Sequence, residues 1–360
     1  MDPIMLNGQP TRTPSEDQML LASVLRRYED KLERTHERVV QRLKSNTIDV
    51  TDLRDLTYRH TLPLFAALDA LSCEPRCAEQ VACGAVLAYS IPLVALDTKL
   101  DGRASSLRQS ESIWDEIERP GVAKLLTYSG YNDIAEGSGS AIAVRLISRI
   151  ASDTIAAMNL DATRRGLSSQ LEVDSRFMDD YWNSPGSRLR GSGIGRLMIG
   201  LASILADGEV TAGRDQISTT LGILRQLADE LMDVVEDVLH GLVTLPVAYA
   251  LRCPRVSAEL TKMIQRIWRE GAGSRSQGLQ SPEECHLREL ILMGAGHRQI
   301  MQAADQLLDN ACHLSLNTFA TPERVDVLLI HRRKQIDSAV ANRLREPSPP
   351  LSVGDLLAIA

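Results

Sequence analysis

Residues 226–246 read QLADELMDVVEDVLHGLVTLP. At 3.6 residues per turn this stretch is a helix with two unlike faces. Asp229, Asp233, Glu236 and Asp237 fall on one side, with Gln226 and His240 beside them. Leu227, Leu231, Val234, Val235 and Val238 fall on the other. The three aspartates recur every fourth residue, so their like charges repel unless something positive neutralises them. A solvated acidic face is one reading of such a pattern. The other takes in a second acidic pair upstream, Asp97 and Asp101 in AYSIPLVALDTKLDG. Two acidic helix segments facing each other across a cavity suit Mg²⁺, which takes oxygen ligands, uses few carboxylates, and fills its other positions with water and substrate phosphate.

These residues also carry a family resemblance. LDTKLD (residues 96–101) resembles the first aspartate-rich motif of trans-polyprenyl diphosphate synthases, DDxxD. Residues 226–246 resemble the second, in which Q-x-x-D-D-x-x-D is followed by G-K-x-T-x-P. Between them QLEVD (170–174) is similar to the family's Q-x-x-D helix, and YWNSPGSRLRGSGIGRLMIG (181–200) to the loop and helix that hold its Lys-Thr pair. The matching order runs over roughly residues 55 to 335.

The resemblance implies an all-α fold of antiparallel helices around a central cavity, an isoprenoid synthase-like arrangement, assembled as a homodimer. It implies Mg²⁺, three ions in the family pattern, bridging Asp97, Asp101 and Asp229 to the diphosphate of an allylic substrate, with Asp233 and Asp237 supporting them. Arg108 and Arg190 (Arg188 as the fallback) correspond to cations that take up charge on the departing diphosphate, so the catalytic set is Asp97, Asp101, Asp229, Asp233, Arg108 and Arg190. Arg59, Gln170, Asp174 and Gln226 complete the substrate contacts. A stripe of Tyr89, Ser90 and Leu93, one helix face back from Asp97, either lines a pocket for the hydrocarbon tail or packs as ordinary core.

The departures from the pattern are specific. Where the family grips isopentenyl diphosphate with G-K-x-x-R-P, this chain reads TYRHTLP, placing Arg59 at the Lys position and Leu62 at the Arg position. Where the family has Arg-Arg, it has Arg108 and Gln109; Thr98 and Glu230 stand at aspartate positions, and Leu242 follows Gly241 in place of Lys. Contacts to the ionising substrate persist while those to isopentenyl diphosphate erode. The expected activity is therefore Mg²⁺-dependent ionisation of an allylic prenyl diphosphate by a prenyltransferase whose acceptor need not be isopentenyl diphosphate. A class I terpene cyclase, which needs no second diphosphate site, is the alternative, and a non-catalytic partner subunit the third reading.

Composition sets the frame. A chain of 360 residues, 44% hydrophobic and with net charge −7, can bury a large core. Helix formers dominate and β-branched alternation is scarce, so the expectation is a single all-α domain over 18–344, between a disordered leader (1–17) and a flexible tail (345–360). No basic stripe interleaves with aromatics, so nucleic acid is not an expected partner. Cys73 and Cys77 lack a second ligand pair for zinc, which makes the six cysteines reduced core residues of a cytoplasmic protein. No apolar run of about 18 residues is present to span a membrane. Helices are expected over 17–43, 52–71, 77–101 (kinked by Pro92), 114–158 (broken in the Gly-rich 129–140), 166–181, 196–206, 226–240, 259–269, 283–316 and 322–344. The Pro- and Gly-dense 183–193 is expected to be a mobile loop, and 271–281 a surface connection.

Overall fold

A computed structural model describes residues 5–6, 9–10, 16–43, 50–100, 120–172, 185–270, 282–294, 296–341 and 357. Apart from a two-residue ladder pairing Met5–Leu6 with Gln9–Pro10, the described chain is helical. It is an all-α fold, as the helical periodicity of the sequence implied.

The helices that build the cleft are α1 (Glu16–Arg27), α2 (Glu29–Leu43), α3 (Val50–Ala70), α4 (Ala78–Ala85), α5 (Ile91–Leu100), α6 (Pro120–Ser138), α7 (Ala141–Arg164), α8 (Pro185–Asp207) and α9 (Ala212–Met232). A second group follows: α10 (Val234–Leu239), α11 (Leu245–Arg252), α12 (Ser257–Glu270), α13 (Pro282–Gly294), α14 (His297–Ser315) and α15 (Glu323–Ala341). The main core gathers Leu25, Phe65, Ile147, Met198, Leu224 and Leu329, so α1, α3, α7, α8, α9 and α15 share one interior. Val235, Val247, Ile264 and Ile291 form a second, smaller core under α10 to α13.

α3 runs through the middle, buried on nearly every side from Thr57 to Leu68. It runs through an internal Pro63, and Thr57 and Thr61 return their hydroxyls to the carbonyls of Leu53 (2.8 Å) and Thr57 (2.7 Å). Asp69 at its C-terminal end accepts from Arg27 (3.0 Å) and the Tyr28 hydroxyl (2.9 Å) and pairs with Arg324 (3.3 Å). The N-terminal and C-terminal helices are thereby pinned to the same turn.

Several expected boundaries are corrected by packing. The helix over 17–43 is two helices parted at Tyr28. Pro92 does not kink its helix alone: a π turn, Val86–Ser90, precedes it, and the Ile91 N–H reaches back to Val86. Proline lacks the N–H that would bond four residues back, and the wider turn absorbs the fault. This shifts the face traced back from Asp97. The Gly-rich 129–140 breaks the helix only at its far end: α6 runs to Ser138, and Gly139 (φ 60°) and Ser140 part it from α7 at Ala141. Gly130 lies against Gly84 of α4, where a Cβ on Gly84 would stand 2.6 Å from the Gly130 carbonyl oxygen. The loop expected over 183–193 is helical from Pro185, which pre-sets the first turn. Its glycines serve packing: a Cβ at Gly195 would lie 2.8 Å from the Ser218 carbonyl oxygen. Of 166–181, residues 166–172 are described, with Ser168–Leu171 forming a single tight turn. The helix over 283–316 is parted around Gly296, which has φ 55°.

Ala78–Leu96 is apolar and long enough to cross a membrane, yet 67% of it is buried inside the protein, as a core helix would be. All six cysteines are free thiols, and burial pushes that of Cys83 up to about 12. Residues 271–281 and most of the expected leader and tail lie outside the described residues; of the tail, the Leu357 carbonyl accepts from Arg26.

Candidate active site

The acidic helix of residues 226–240 is two pieces. α9 ends at Met232, Asp233 sits at the joint with φ −101° and ψ 17°, and α10 resumes at Val234. The backbone keeps its sense across the joint, since Asp233 donates to the Asp229 carbonyl and Asp237 to that of Asp233, both at 2.9 Å. The expected apolar side is buried throughout: Leu227, Leu231, Val234, Val235 and Val238 are all 2% exposed or less. Asp229, Asp233, Glu236 and Asp237 are half-buried. They line a cleft rather than a fully wetted surface.

Glu230, which stands at a family aspartate position, has a different task. It is buried, takes the Leu245 N–H at 3.1 Å and accepts from the Gln226 amide at 3.2 Å. Thr244 begins α11 without a side-chain cap, and Pro246 follows in the first turn, so the Glu230 carboxylate satisfies a helix N-terminus from another helix. The turn itself needs glycine. Gly241 has φ 82°, its carbonyl accepts from the Gly166 N–H at 2.8 Å, and a Cβ there would press on the Gly166 nitrogen. Leu242, in the place of a family Lys, is buried.

The stripe on the other wall is buried as well. Tyr89 is 4% exposed, Ser90 1% and Leu93 9%. Thr154 gives its hydroxyl proton to the Ile150 carbonyl (2.9 Å), so the Tyr89 hydroxyl is the donor in its 3.1 Å bond to Thr154. Gly193 of α8 passes directly under the phenol, where any side chain would collide with it. Burial raises the Tyr89 phenol to about 12, so it is neutral at working pH. The Ser90 hydroxyl is buried without a hydrogen-bond partner among the described residues, in the π turn that Pro92 imposes.

Opposite the carboxylates the cleft is cationic. A small recess, about 30 Å³, opens between α1, α3, α9 and α15, walled by Leu21, Leu25, Leu62, Leu221 and Leu328, with Arg59, His331 and Arg332 among them. Arg225 of α9 lies beside these two. Its Nε is 3.5 Å from Asp229, and Arg59 lies 3.9 Å from Asp55. Burial, aided by Arg225 and Arg59, lowers the Arg332 guanidinium to about 9, with Asp229 opposing the shift. Arg332 donates to Gln335 at 2.7 Å. His60, wholly enclosed, is held neutral by burial and by the same three arginines. Its Nδ1 has no partner among the described residues.

Of the expected site residues, Asp229 lies 3.5 Å from Arg225, whose charge also bears on Arg59 and on Tyr89, with Gln226 on the same helix. Asp233 and Asp237 follow along the acidic side, and Tyr89, Ser90 and Leu93 are buried. Asp97 is on α5, Gln170 in the turn after α7 and Arg190 on α8, but their side chains lie outside the described residues, as do Asp101, Arg108 and Asp174 entirely. Arg225, Arg332 and His60 were not foreseen. Only Arg225 carried a signal, four residues before Asp229 on the same helix face.

No protein-family model matches the chain, and no curated protein sequence matches it. Solved structures do. A decaprenyl diphosphate synthase from Rhodobacter capsulatus superposes with TM-score 0.61 at 14% identity, over 91% of this chain and 100% of that one. A polyprenyl synthase from Caulobacter crescentus, complexed with calcium and isoprenyl diphosphate, gives 0.61 at 17% identity over 92% and 100%. A heptaprenyl diphosphate synthase from Staphylococcus aureus gives 0.61 at 14% over 86% and 98%. The fold is that of the isoprenoid synthases.

Among the described residues, no three carboxylates, imidazoles or thiolates converge closely enough to hold a metal unaided. The acidic face is nonetheless an all-oxygen donor set, half-buried at the cleft. That fits an ion which takes one or two carboxylates and completes its shell with phosphate oxygens and water.

Proposed function

We propose that the protein is a Mg²⁺-dependent prenyltransferase that ionises an allylic prenyl diphosphate and transfers the prenyl group to an acceptor that need not be isopentenyl diphosphate. The observation that carries this reading is the pairing, within one cleft, of half-buried carboxylates headed by Asp229 with the guanidiniums of Arg59, Arg225 and Arg332. Two oppositely charged ends suit two substrates. The neighbouring fold of a polyprenyl synthase complexed with isoprenyl diphosphate supports it.

Mg²⁺, when bound, supplies positive charge that stabilises the diphosphate as it departs. Asp97, Asp101 and Asp229 would hold it, three ions in the family pattern, with Asp233 and Asp237 behind them. Arg108 and Arg190 would neutralise the leaving diphosphate, and Gln170, Asp174 and Gln226 would border it. The buried wall of Tyr89, Ser90 and Leu93 excludes water from the carbocation, and the neutral Tyr89 ring offers it a π face. A homodimer in the cytoplasm completes the proposal.

A second reading, a class I terpene cyclase, is favoured by one observation: Leu62, where the family has a cation, is buried and faces the recess. Incubating the protein with Mg²⁺ and geranyl, farnesyl or geranylgeranyl diphosphate, with and without isopentenyl diphosphate, separates the two by mass spectrometry of products. A transferase gives coupled product only when an acceptor is present, lost in Asp97→Ala and Asp229→Ala. Hydrocarbon or alcohol from the single substrate identifies a cyclase. No turnover of any allylic diphosphate, with wild type and both variants alike, ends both readings.

A further inference from the structure

Arg225 belongs to both ends of the cleft. Its Nε faces Asp229 at 3.5 Å, one helical turn away, and its charge bears on Arg332, on His60 and on Arg59. The pair is loose and solvent-accessible: the Arg225 side chain is 34% exposed and that of Asp229 is 43% exposed. Either group can therefore re-aim without unfolding the helix. The two ends compete for it. A guanidinium against Asp229 lowers the negative potential that a divalent cation would meet there, since opposite charges at this range neutralise each other. The recess, by contrast, is lined by Arg59, Arg332 and His331, and Leu221 on its wall is one helical turn before Arg225. Buried like charges of this kind are costly until an anion joins them, and an oxyanion there would accept from several guanidinium N–H groups at once.

We infer that Arg225 couples the two ends: it stands against Asp229 while the recess holds no anion, and an oxyanion seated among Arg59, Arg225 and Arg332 draws it off and leaves Asp229 to the metal. Arg225 is thus a positioning residue, acting on the metal site through Asp229. Its effect is that filling the recess strengthens divalent-cation binding, so the acidic end is fully armed only when the second substrate's anionic group is in place. By linkage the metal strengthens anion binding by the same factor. This rests on the reading of Asp229 as a metal ligand.

The test is a Mn²⁺ titration followed by electron paramagnetic resonance, in sodium sulfate and in sodium chloride of equal ionic strength. Sulfate is expected to tighten Mn²⁺ binding by wild type about two- to fivefold, the range of a half-exposed ion pair. Ion pairing between sulfate and Mn²⁺ in solution works in the opposite direction. Arg225→Gln is expected to bind Mn²⁺ that much more tightly in chloride and to ignore sulfate. Arg332→Gln should keep the weaker affinity and lose the sulfate response, while Arg225→Lys, which retains the charge, keeps that response. Circular dichroism checks the fold of each, and a collapsed Gln variant leaves the other two to decide. Equal Mn²⁺ affinity in sulfate and chloride for wild type, or no tightening in a folded Arg225→Gln, overturns the inference. Mn²⁺ binding unchanged in Asp229→Asn instead removes the metal reading of Asp229 itself, so the two failures are distinguishable.

Discussion

The two ends of the cleft are made differently. The acidic end is local: Asp229, Asp233 and Asp237 come from one stretch of chain, and their spacing alone sets them on one side. The arginine end is assembled, with Arg59 from α3, Arg225 from α9 and Arg332 from α15 meeting only because those helices pack together. A local charge array tolerates the loss of one member without losing its shape. An assembled one places buried like charges together and depends on every helix that delivers them, which is why α1, α3 and α15 are pinned at Asp69. What differs between the ends is therefore their origin rather than their exposure, since the side chains of Arg59 (29%), Arg225 (34%) and Asp229 (43%) are all part-exposed.

The largest expected contrast is in turnover. Asp229→Ala should lower kcat on an allylic diphosphate by about 10²–10³-fold, the usual loss when charge aimed at a leaving group is removed. Arg332→Gln should act mainly on the KM for the acceptor. Steady-state kinetics with both substrates varied checks this, and equal loss of kcat in the two variants would dissolve the distinction between the ends.

Next in size is Glu230→Ala. It strips the acceptor from the buried Leu245 N–H, and a buried donor left unmade costs about 1–3 kcal/mol. Urea denaturation should show that loss. Full stability in Glu230→Ala would return this residue to the active site.

The smallest effect is a pH dependence. His60 is held well below its ordinary value by burial and the arginines. The unfolded chain takes up a proton near pH 6.5 and the folded chain does not, so stability falls as pH drops through that value, by at most about 1.4 kcal/mol per pH unit for one group. His60→Gln should flatten that limb in chloride. Sulfate, by neutralising the arginines, should bring the folded-state value of His60 back toward the unfolded one and so shorten that limb in wild type. His36, also lowered by burial, contributes its own share and is the control.

The same contrast governs what the sequence made legible. The all-α class and the split of 226–240 into an acidic and an apolar side follow from a 3.6-residue period and needed no tertiary information. Glycine did mislead. Gly130 and Gly193 read as loop formers, whereas both lie inside helices at points of close approach, and glycine density alone does not separate a flexible loop from tight helix packing. Glu230 read as an eroded aspartate because its partner, the Leu245 N–H, is a backbone group fifteen residues on. Contacts at this end read as eroded from Leu62 and Gln109. The cations that stand near Arg59 come from residues 225 and 332, and no local pattern joins those to residue 59.

One measurement bears most directly on the proposed chemistry: release of inorganic diphosphate from farnesyl diphosphate and geranylgeranyl diphosphate, by wild type and Asp229→Ala, in Mg²⁺ and in EDTA. The predicted result is release that needs Mg²⁺, accelerates when an acceptor is supplied, and falls to background in Asp229→Ala. Release that persists in EDTA, or is equal in wild type and a folded Asp229→Ala, would contradict a metal-dependent ionisation at this cleft.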